Sequence, residues 1–437
     1  MKYVNKLTFL LLVSFSATFA QEKLTKEQAI KLALENNYGI KIAKNQVKIA
    51  ENNASIYNSG FLPKVVANAD ARYSLNNTEL TNRDGETSEI NDAKSQTYNA
   101  SIGFNYTLFD GLGRSYNYKK LKETYNLSEL EAKTIIENSV LQIFSVYYEV
   151  AKLTEDNKNI LESLNISKQR LERAKYSFDY GQSTKLQLLN AEVDVNNDSI
   201  SYINNLRFLA NAKRDLNLLL GRPVTTDFTI VTNVKFNIIF ELNTLLEKVK
   251  KHNIEVLKSN KNIELNIYDL KVNKSFLLPS LTLSGSYGYN KSKNDASVFI
   301  NQLSNGLNTS LNLTWNLFDG GTTKTRIQNS KITADNLLIQ KEQIENELER
   351  TTANSLEVYN NALFILKAEE KNVETNKRNF SRSEEQFKLG QITSIEFRQA
   401  QVNLLNAKSS LNQAKYDTKN AELKLLQLSG ELLNTNF

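Results

Sequence analysis

The chain has 437 residues, no cysteine, a single histidine and a formal net charge of +6. The lack of cysteine excludes disulfides and thiolate metal sites, and so small a charge on so long a chain does not indicate nucleic-acid binding. Only three prolines and fifteen glycines are present, and such a composition favours long helices.

The first twenty residues are typical of a removed signal peptide. Lys2 and Lys6 precede an apolar run over 7–15, and small residues lead to a predicted cleavage site after Ala20. Loss of the two lysines leaves the mature chain at +6 − 2 = +4. The run is too short to span a bilayer, although a buried N-terminal helix is an alternative. No long apolar run follows it, so a mature protein in the membrane would cross as strands of a closed barrel.

Two series of short motifs show that the chain is internally duplicated. Gly181-Gln182 returns as Gly390-Gln391, and the Phe-Asp-Gly at 109–111 returns at 318–320, both at an offset of 390 − 181 = 209. Leu62-Pro63 returns as Leu278-Pro279, at an offset of 279 − 63 = 216. A period this long predicts a duplicated half-molecule and a pseudo-symmetric fold.

Each half has the same predicted order of elements. The first repeat, 21–221, contains a helix over 24–60, strands over 64–75 and 98–109, a long helix over 114–180 and a return helix over 184–220. The second repeat, 241–430, contains a helix over 242–277, strands over 280–290 and 307–318, a long helix over 322–389 and a return helix over 393–429. A strand-like equatorial segment, 222–240, joins the repeats, and 431–437 form a C-terminal tail.

The four predicted strands each have one apolar and one polar face. Between Tyr98 and Leu108, for example, apolar residues alternate with Asn, Ser, Gly and Thr. Strands of this length suit a tilted membrane crossing, and polar loops over 76–96 and 291–305 separate them. The residues predicted for aromatic girdles are Tyr73, Tyr98, Tyr289 and Trp315. A soluble antiparallel sheet packed on a helix is the alternative.

Four strands cannot close a barrel, because the open edges would leave backbone groups unpaired in lipid. Copies of the chain must therefore supply the remaining strands. Three copies would give 3 × 4 = 12, which exceeds the roughly eight strands of the smallest single-chain barrels. We prefer a trimer, and the arithmetic leaves a dimer open.

The long helices exceed the dimensions of an ordinary globular domain. Neither 114–180 nor 322–389 contains Pro or Gly, and each would be about 100 Å long. The opening and return helices are about half as long, so two of them stacked end to end match one long helix. Repeated in several chains, such columns predict a tube, with a solid coiled-coil rod as the alternative.

On these paired motifs the chain resembles the TolC family of outer-membrane efflux proteins over about 24–430. The resemblance implies a homotrimer with a 12-stranded β-barrel in outer-membrane lipid and an α-helical tunnel in the periplasm of a Gram-negative cell. It implies a passive exit duct for a tripartite efflux or type I secretion system, with a periplasmic adaptor and an inner-membrane pump as partners. A non-channel coiled-coil structural or adhesin-like envelope protein is the alternative.

The resemblance also implies two sets of site residues. Adaptor contact is expected at the helix-hairpin tips, whose candidates are Gly181, Gln182, Ser183, Gly390, Gln391 and Thr393; plain helix breaks are an equal alternative for the two glycines. Closed ducts of the family narrow at the periplasmic end through inward acidic residues and their hydrogen bonds. Glu396 and Gln399 occupy those positions, with Phe387 in place of a gate-bonding tyrosine and Ile392 where the type member has an arginine. The sequence contains no recognisable catalytic, cofactor-binding or metal-binding motif, so we expect a protein that is not an enzyme.

Overall fold

A computed structural model describes residues 22–236 and 239–434. The predicted signal peptide, 1–20, lies outside the described residues. The chain forms two compact units: unit 1 comprises 22–45, Glu131–Leu257 and 343–434, and unit 2 comprises Gln46–Leu130 and Lys258–Glu342. Among the described residues, no helix has both the length and the apolar character needed to cross a membrane.

Helices dominate the chain. In chain order they are α1 (Lys26–Asn36), α2 (Tyr38–Asn53), α3 (Gly113–Asp179), α4 (Lys185–Leu219), α5 (Leu242–His252), α6 (Ile254–Ser275), α7 (Thr322–Lys388) and α8 (Ser394–Leu428). The long helices α3 and α7 each have 67 residues, and α4 and α8 each have 35. Each of these pairs begins 209 positions apart (322 − 113 and 394 − 185), the same offset as the sequence motifs.

The predicted opening helices, 24–60 and 242–277, are both interrupted in the structure. The breaks fall at Asn37 and Asn253, which leave the helical backbone with ψ angles of 130° and 131°. The amide of Asn37 donates to Leu219 O at 2.8 Å, and that of Asn253 donates to Leu428 O at 3.0 Å. Each asparagine therefore satisfies a free carbonyl at the end of a return helix, and this contact compensates for the broken opening helix. The first opening segment also ends its α-helix at Asn53, followed by a 3₁₀ turn over Ile56–Asn58.

Unit 2 contains an antiparallel sheet formed by β2 (Lys64–Thr81), β3 (Thr87–Phe109), β5 (Ser280–Asn294) and β6 (Asn301–Thr314). The strand order is β2-β3-β5-β6. Both hairpin turns lie at one end of the sheet, and the connections to α3 and α7 follow the opposite end. A hydrogen bond from Asn99 to Asp70 (3.0 Å) and one from Asn290 to Asn99 show that the polar side chains of neighbouring strands share a face.

The strands extend into segments that we predicted as polar loops. β2 and β3 pair as far as Thr81 and Thr87, and a tight turn joins them in which Asn82 Oδ1 accepts the N–H groups of Asp84 and Glu86. Backbone pairing in such an exposed ribbon does not require an apolar face, so hydrophobic alternation underestimates its length. β6 shows the opposite shift, because its partner β5 begins only at Ser280, after Pro279, and pairing therefore stops at Thr314 instead of reaching 318.

Unit 1 also contains a short parallel pair, in which β1 (Glu22–Leu24) lies beside β4 (Phe228–Ile230). Leu24 and Phe228 are fully buried in the main hydrophobic core of this unit. Tyr147 of α3 donates its hydroxyl to Leu24 O and Val231 O, each at 3.2 Å. Burial raises the pKa of this phenol to about 12, so it remains a hydrogen-bond donor at neutral pH. The described part of the equatorial segment, 222–236 and 239–240, thus has β4 as its regular element, and side chains of α3 and α8 hold it.

We predict that Gly221→Ala and Gly430→Ala destabilise the protein. Both glycines have positive φ (67° and 74°), and an added Cβ would collide with backbone atoms of Asn36 or His252. Gly320→Ala is the matched control, because its φ is also 67° but its Cβ would meet nothing within 4 Å. Backbone strain of about 1–2 kcal/mol applies to all three, and overpacking of about 1–3 kcal/mol applies only to the first two. Chemical denaturation measures the difference; equal losses for all three variants would contradict the packing argument.

Candidate functional site

The two helix hairpins of unit 1 end in closely similar tips. The first tip comprises residues 178–184, between α3 and α4, and the second comprises 387–393, between α7 and α8. Gly181 and Gly390 have φ of 72° and 74°, a left-handed conformation that glycine adopts without steric cost. In each tip the next residue donates its N–H to a carbonyl of the last helical turn, Gln182 to Ser177 at 2.7 Å and Gln391 to Gln386 at 2.9 Å. These bonds are typical of a glycine-terminated helix, and they let the chain reverse within a few residues.

The helices that follow the tips start differently. Thr184 forms no side-chain cap, whereas Thr393 forms a capping box with Glu396. The Glu396 carboxylate accepts the N–H of Thr393 at 2.8 Å and its hydroxyl at 2.9 Å. The backbone hydrogen bond from Thr393, followed by the side-chain bond, lowers the pKa of Glu396, so the capping carboxylate is ionised at neutral pH. Any stabilisation from this bond is present above the ordinary carboxyl pKa and is lost as the pH falls through the lowered value.

A cluster of four charged residues lies between the two hairpins, inward from the tips. This charge cluster consists of Arg170 (α3), Asp194 and Asp198 (α4) and Arg398 (α8). Arg398 binds both carboxylate oxygens of Asp198 at 2.7 Å, and Arg170 binds Asp194 at 3.0 Å. The four charges sum to zero, and each cation has a carboxylate partner. The cluster therefore joins the first hairpin to the second within one chain.

The cluster is largely buried, so losing one partner of an ion pair costs more here than at the surface. Arg170 is 5% exposed and Asp198 is 6% exposed. Burial lowers the pKa of Arg170, with Asp194 acting in the opposite direction. Burial also acts on Arg398, but hydrogen bonding and the charges of Asp198 and Asp194 outweigh it and raise its pKa. Both arginines therefore stay charged, and loss of Arg398 would leave the buried carboxylate of Asp198 without its counter-ion.

Further hydrogen bonds extend the contact between the hairpins. Gln401 of α8 donates its amide to Ser163 O at 2.8 Å, and Arg170 donates to Ser394 O at 3.0 Å. Ser167 donates to Asp198 at 2.6 Å, so α3 contacts the same carboxylate that Arg398 binds. Together these bonds fix the start of α8 against α3.

Phe387 packs within this contact. Its ring stacks on Phe397 with centroids 4.8 Å apart, and Phe397 in turn stacks on Phe380 at 5.5 Å. The Arg173 guanidinium lies over the Phe387 ring, 4.9 Å from its centroid, and donates a hydrogen bond to Lys388 O at 3.0 Å. A cation–π contact and ring stacking thus hold the second tip, and neither requires a hydroxyl group.

A model of the outer membrane efflux protein family matches residues 29–222 and 245–431 of this chain. The chain belongs to this family. It is a TolC-like outer-membrane exit duct of a tripartite efflux system, located in the outer membrane of a Gram-negative cell with an extension into the periplasm. The two matched segments correspond closely to the two repeats predicted from the sequence.

Individual relatives show how far the similarity extends. The chain is 22% identical to the outer membrane protein TolC of Vibrio cholerae over 301 residues, covering 67% of this chain and 68% of that protein. Its fold is similar to that of the Campylobacter jejuni CmeC outer membrane channel, with a TM-score of 0.77, 18% identity and coverage of 93% and 86% of the two chains. The open-state MtrE outer membrane channel of Neisseria gonorrhoeae gives a TM-score of 0.70 at 16% identity, with coverage of 93% and 89%. These relatives are channel proteins.

The predicted site residues of this efflux-family chain occupy distinct environments. Glu396 and Gln399 are exposed, and Gln399 donates to Asn403 at 2.8 Å, whereas Phe387 is half-buried in the aromatic stack. The six tip residues predicted to contact an adaptor lie on the two tips as defined above, and Ser183 donates its hydroxyl to Gln187.

Sequence reasoning missed the charge cluster. Its only local signal was the pairing of Asp194 with Asp198 at i,i+4, an arrangement that is unfavourable in an isolated helix. Such a pair indicates that cations are supplied from elsewhere in the fold. Their source could not be read from the sequence, because Arg398 is 200 positions away from Asp198.

We predict that Arg398→Leu destabilises unit 1 by about 3–5 kcal/mol, because it leaves Asp198 buried without its partner. The double variant Arg398→Leu/Asp198→Leu should recover much of that loss. Arg378→Leu is the control, because the Arg378–Glu374 pair has side chains 75% and 47% exposed and should contribute less than about 1 kcal/mol. Denaturation in detergent measures all three; a double variant no more stable than the single one would refute the charge argument.

Proposed function

We propose that three copies of this chain form a passive duct, with a 12-stranded β-barrel in the outer membrane and an α-helical tunnel in the periplasm. The supporting observation is the four-stranded sheet, whose edge strands β2 and β6 each pair on one side only within the described residues. A sheet edge in lipid leaves backbone N–H and C=O groups without partners, at several kcal/mol each. Pairing β6 of one copy with β2 of the next removes every edge when the ring closes.

An exposed apolar stripe on α4 supports the same assembly. Its members are spaced three, four or seven positions apart, which places them on one helix face. They are Leu186, Leu189, Val193, Ile200 and Ile203, with exposures between 46% and 66%. A neighbouring helical column would cover this stripe, and the α4 of each copy would then lie at a boundary between copies.

The matching helix lengths support a pseudo-symmetric chain. Each repeat contributes one 67-residue helix, and a 35-residue return helix follows it. Each repeat also contributes one interrupted opening segment, α1 with α2 in the first repeat and α5 with α6 in the second. Each chain would then contribute two equivalent sectors of the tunnel wall. We further propose that the protein is not an enzyme and that a partner pump supplies the energy for transport.

We propose that the two tips contact a periplasmic adaptor, which connects the duct to an inner-membrane pump. Both tips expose large apolar side chains, Tyr180 at 79% and Leu389 at 72%. Exposed apolar residues beside the polar Gln182, Ser183, Gln391 and Thr393 are typical of an interface that is covered in an assembly. The left-handed glycines, Gly181 and Gly390, let each tip turn sharply enough to present these residues.

We propose that the second tip forms the periplasmic gate. The aromatic stack of Phe387, the charge cluster and the Gln401 hydrogen bonds fasten the start of α8 against α3, and their release would let this hairpin move. Glu396 and Gln399 are exposed, so they are free to face a pore, although Glu396 also caps α8. Gate closure in this chain would thus depend on stacking and buried ion pairs in place of a tyrosine–arginine latch.

The competing function is a coiled-coil structural or adhesin-like envelope protein with no pore. Planar-bilayer recordings of the purified protein separate the two, since a rod gives no channels. Electrophoresis without heating provides a second test, because a closed barrel resists detergent as an oligomer. A monomer that gives no conductance would overturn the duct.

For the gate, we predict that Arg398→Leu and Phe387→Ala each raise single-channel conductance several-fold, because each removes a contact that holds the second tip. Arg378→Leu, in the exposed pair, should leave conductance unchanged. Glu396→Gln keeps the capping box, since glutamine also caps a helix in this way, but removes the charge. If Glu396 faces the pore, this variant lowers selectivity for cations; unchanged selectivity would exclude it from the pore lining.

For the partner, we predict that a cysteine introduced by Ser183→Cys forms cross-links to a periplasmic protein in intact envelopes. The natural chain has no cysteine, so the introduced thiol is unique. Ser88→Cys is the matched control, because it lies beside the β2–β3 hairpin turn, at the end of the sheet away from the connections to the helices. This variant should not be cross-linked to the periplasmic protein. If both variants gave the same products, or if Ser183→Cys gave none, adaptor contact at the tips would be refuted.

A further inference from the structure

Three lysines lie on the apolar face of the unit 2 sheet, at the end that carries the hairpin turns. Hydrogen bonds joining Asp70, Asn99 and Asn290 define the polar face. Side chains alternate along a strand, and the pairing of β3 with β5 is regular over this region. Lys94 of β3 and Lys291 and Lys293 of β5 therefore project from the other face. We call these three residues the lysine patch.

Between the lysine patch and the end of the sheet that leads to the helices, that face is free of charge. On β2 it carries Val65, three alanines, Tyr73 and Leu75, and the other strands are similar. The segments without a charged residue on this face are 65–75, 96–106, 281–289 and 303–313. The three lysines therefore lie at one end of an uncharged apolar band, and on the β2–β3 ribbon beyond them the same face carries the paired Glu79 and Glu89.

Aromatic and apolar side chains border the lysine patch. Lys291 is paired with Tyr98 on one side and with Leu303 on the other, and Lys94 is paired with Leu75. Tyr289 precedes Lys291 by two residues on the same face. Tyrosine and lysine side chains at the edge of an apolar band are typical of the interface between hydrocarbon and headgroups.

The patch has no anionic partner within the described part of the chain. All three lysines are exposed, and no ion pair involves any of them. The nearby Asp295 donates its backbone N–H to Lys94 O at 3.0 Å, but its carboxylate forms no ion pair with the lysines. Residues two apart on a strand are about 7 Å apart, and diagonal cross-strand neighbours about 7–8 Å. Three like charges at this spacing repel one another, and an anion between them would relieve the repulsion.

The position of the helices decides which leaflet the patch faces. The duct extends into the periplasm, and α3 and α7 leave the sheet at the end opposite to the hairpin turns. The lysine patch therefore lies at the outer leaflet, provided that the sheet spans the membrane as proposed above. Long lysine side chains reach from an apolar face to the headgroup level, where anionic phosphates are the complementary groups.

We propose that Lys94, Lys291 and Lys293 bind phosphate groups of lipid headgroups in the outer leaflet. The bound lipid would seat its acyl chains on the apolar face below the patch, between Tyr98 and Tyr289. Three copies of the chain would carry three such sites around the barrel. The contact would fix the depth of the barrel in the membrane.

The test measures the melting temperature of the purified oligomer in detergent, alone and with each of three probes. The probes are a diphosphorylated, acylated glucosamine disaccharide, its dephosphorylated form, and inorganic phosphate. Ligand that binds only the folded protein raises its melting temperature, so we expect an increase of several degrees with the first probe alone. Replacing all three lysines by glutamine should abolish most of the increase, and replacing them by arginine should preserve it. The control replaces three exposed lysines of unit 1, Lys250, Lys367 and Lys377, by glutamine. None of them forms an ion pair within the part of the chain that the structure describes.

Three results would overturn the proposal: an unchanged increase in the glutamine variant, an equal increase with the dephosphorylated lipid, or an equal increase with inorganic phosphate. Bilayer conductance of the parent and the glutamine variant is recorded in parallel. Equal conductance shows that the variant is folded and assembled. If the parent conducts but gains no stability from the lipid, only this inference is refuted. If the parent does not conduct, the proposed duct is refuted.

Discussion

Backbone hydrogen bonding at the edges of one small sheet constrains the whole protein. Within the described part of a single chain, β2 and β6 each pair on one side only, so each has an edge of N–H and C=O groups that no other strand pairs. Water satisfies such groups at the surface of a soluble protein, but lipid offers no donors or acceptors. If the sheet spans the membrane as proposed, the chain is incomplete by itself, and assembly follows from the same physical requirement that forms the strands.

In the helical part, unpaired backbone groups occur only at the helix ends. A helix satisfies its own backbone except at its ends, so a long helix has few unpaired groups for its length. The return helices add two more ends, at Leu219 and Leu428, and both are satisfied by an asparagine at a break in an opening helix. Gly221 and Gly430 permit the close approach that these contacts need. The duplicated chain uses the same arrangement in each repeat, although the local sequences around the two sites differ.

The tips combine rigid and releasable features. Gly181 and Gly390 close sharp turns in a left-handed backbone conformation, with a backbone hydrogen bond from the residue after each glycine. The contact between the hairpins depends on Arg398 with Asp198, on Arg170 with Asp194, and on the stacked Phe387 ring. A buried ion pair is strongly destabilised when one partner is lost, so the association of the hairpins depends on these few side chains. This contact is the basis of the gate proposed above.

The sequence by itself determined the family, and it predicted the duplication and the long helices. Motifs such as Gly181-Gln182 and Gly390-Gln391 share one offset, and uninterrupted helical stretches are visible without any long-range information. It was less accurate where a partner element decides the outcome. The opening helices break at Asn37 and Asn253 because each asparagine binds a carbonyl about 180 positions away, and the β2–β3 ribbon extends to its turn because the backbone pairs without an apolar face. Only the tertiary structure revealed the charge cluster and the lysine patch, since each brings together residues from separate segments whose local sequences give no indication of their partners.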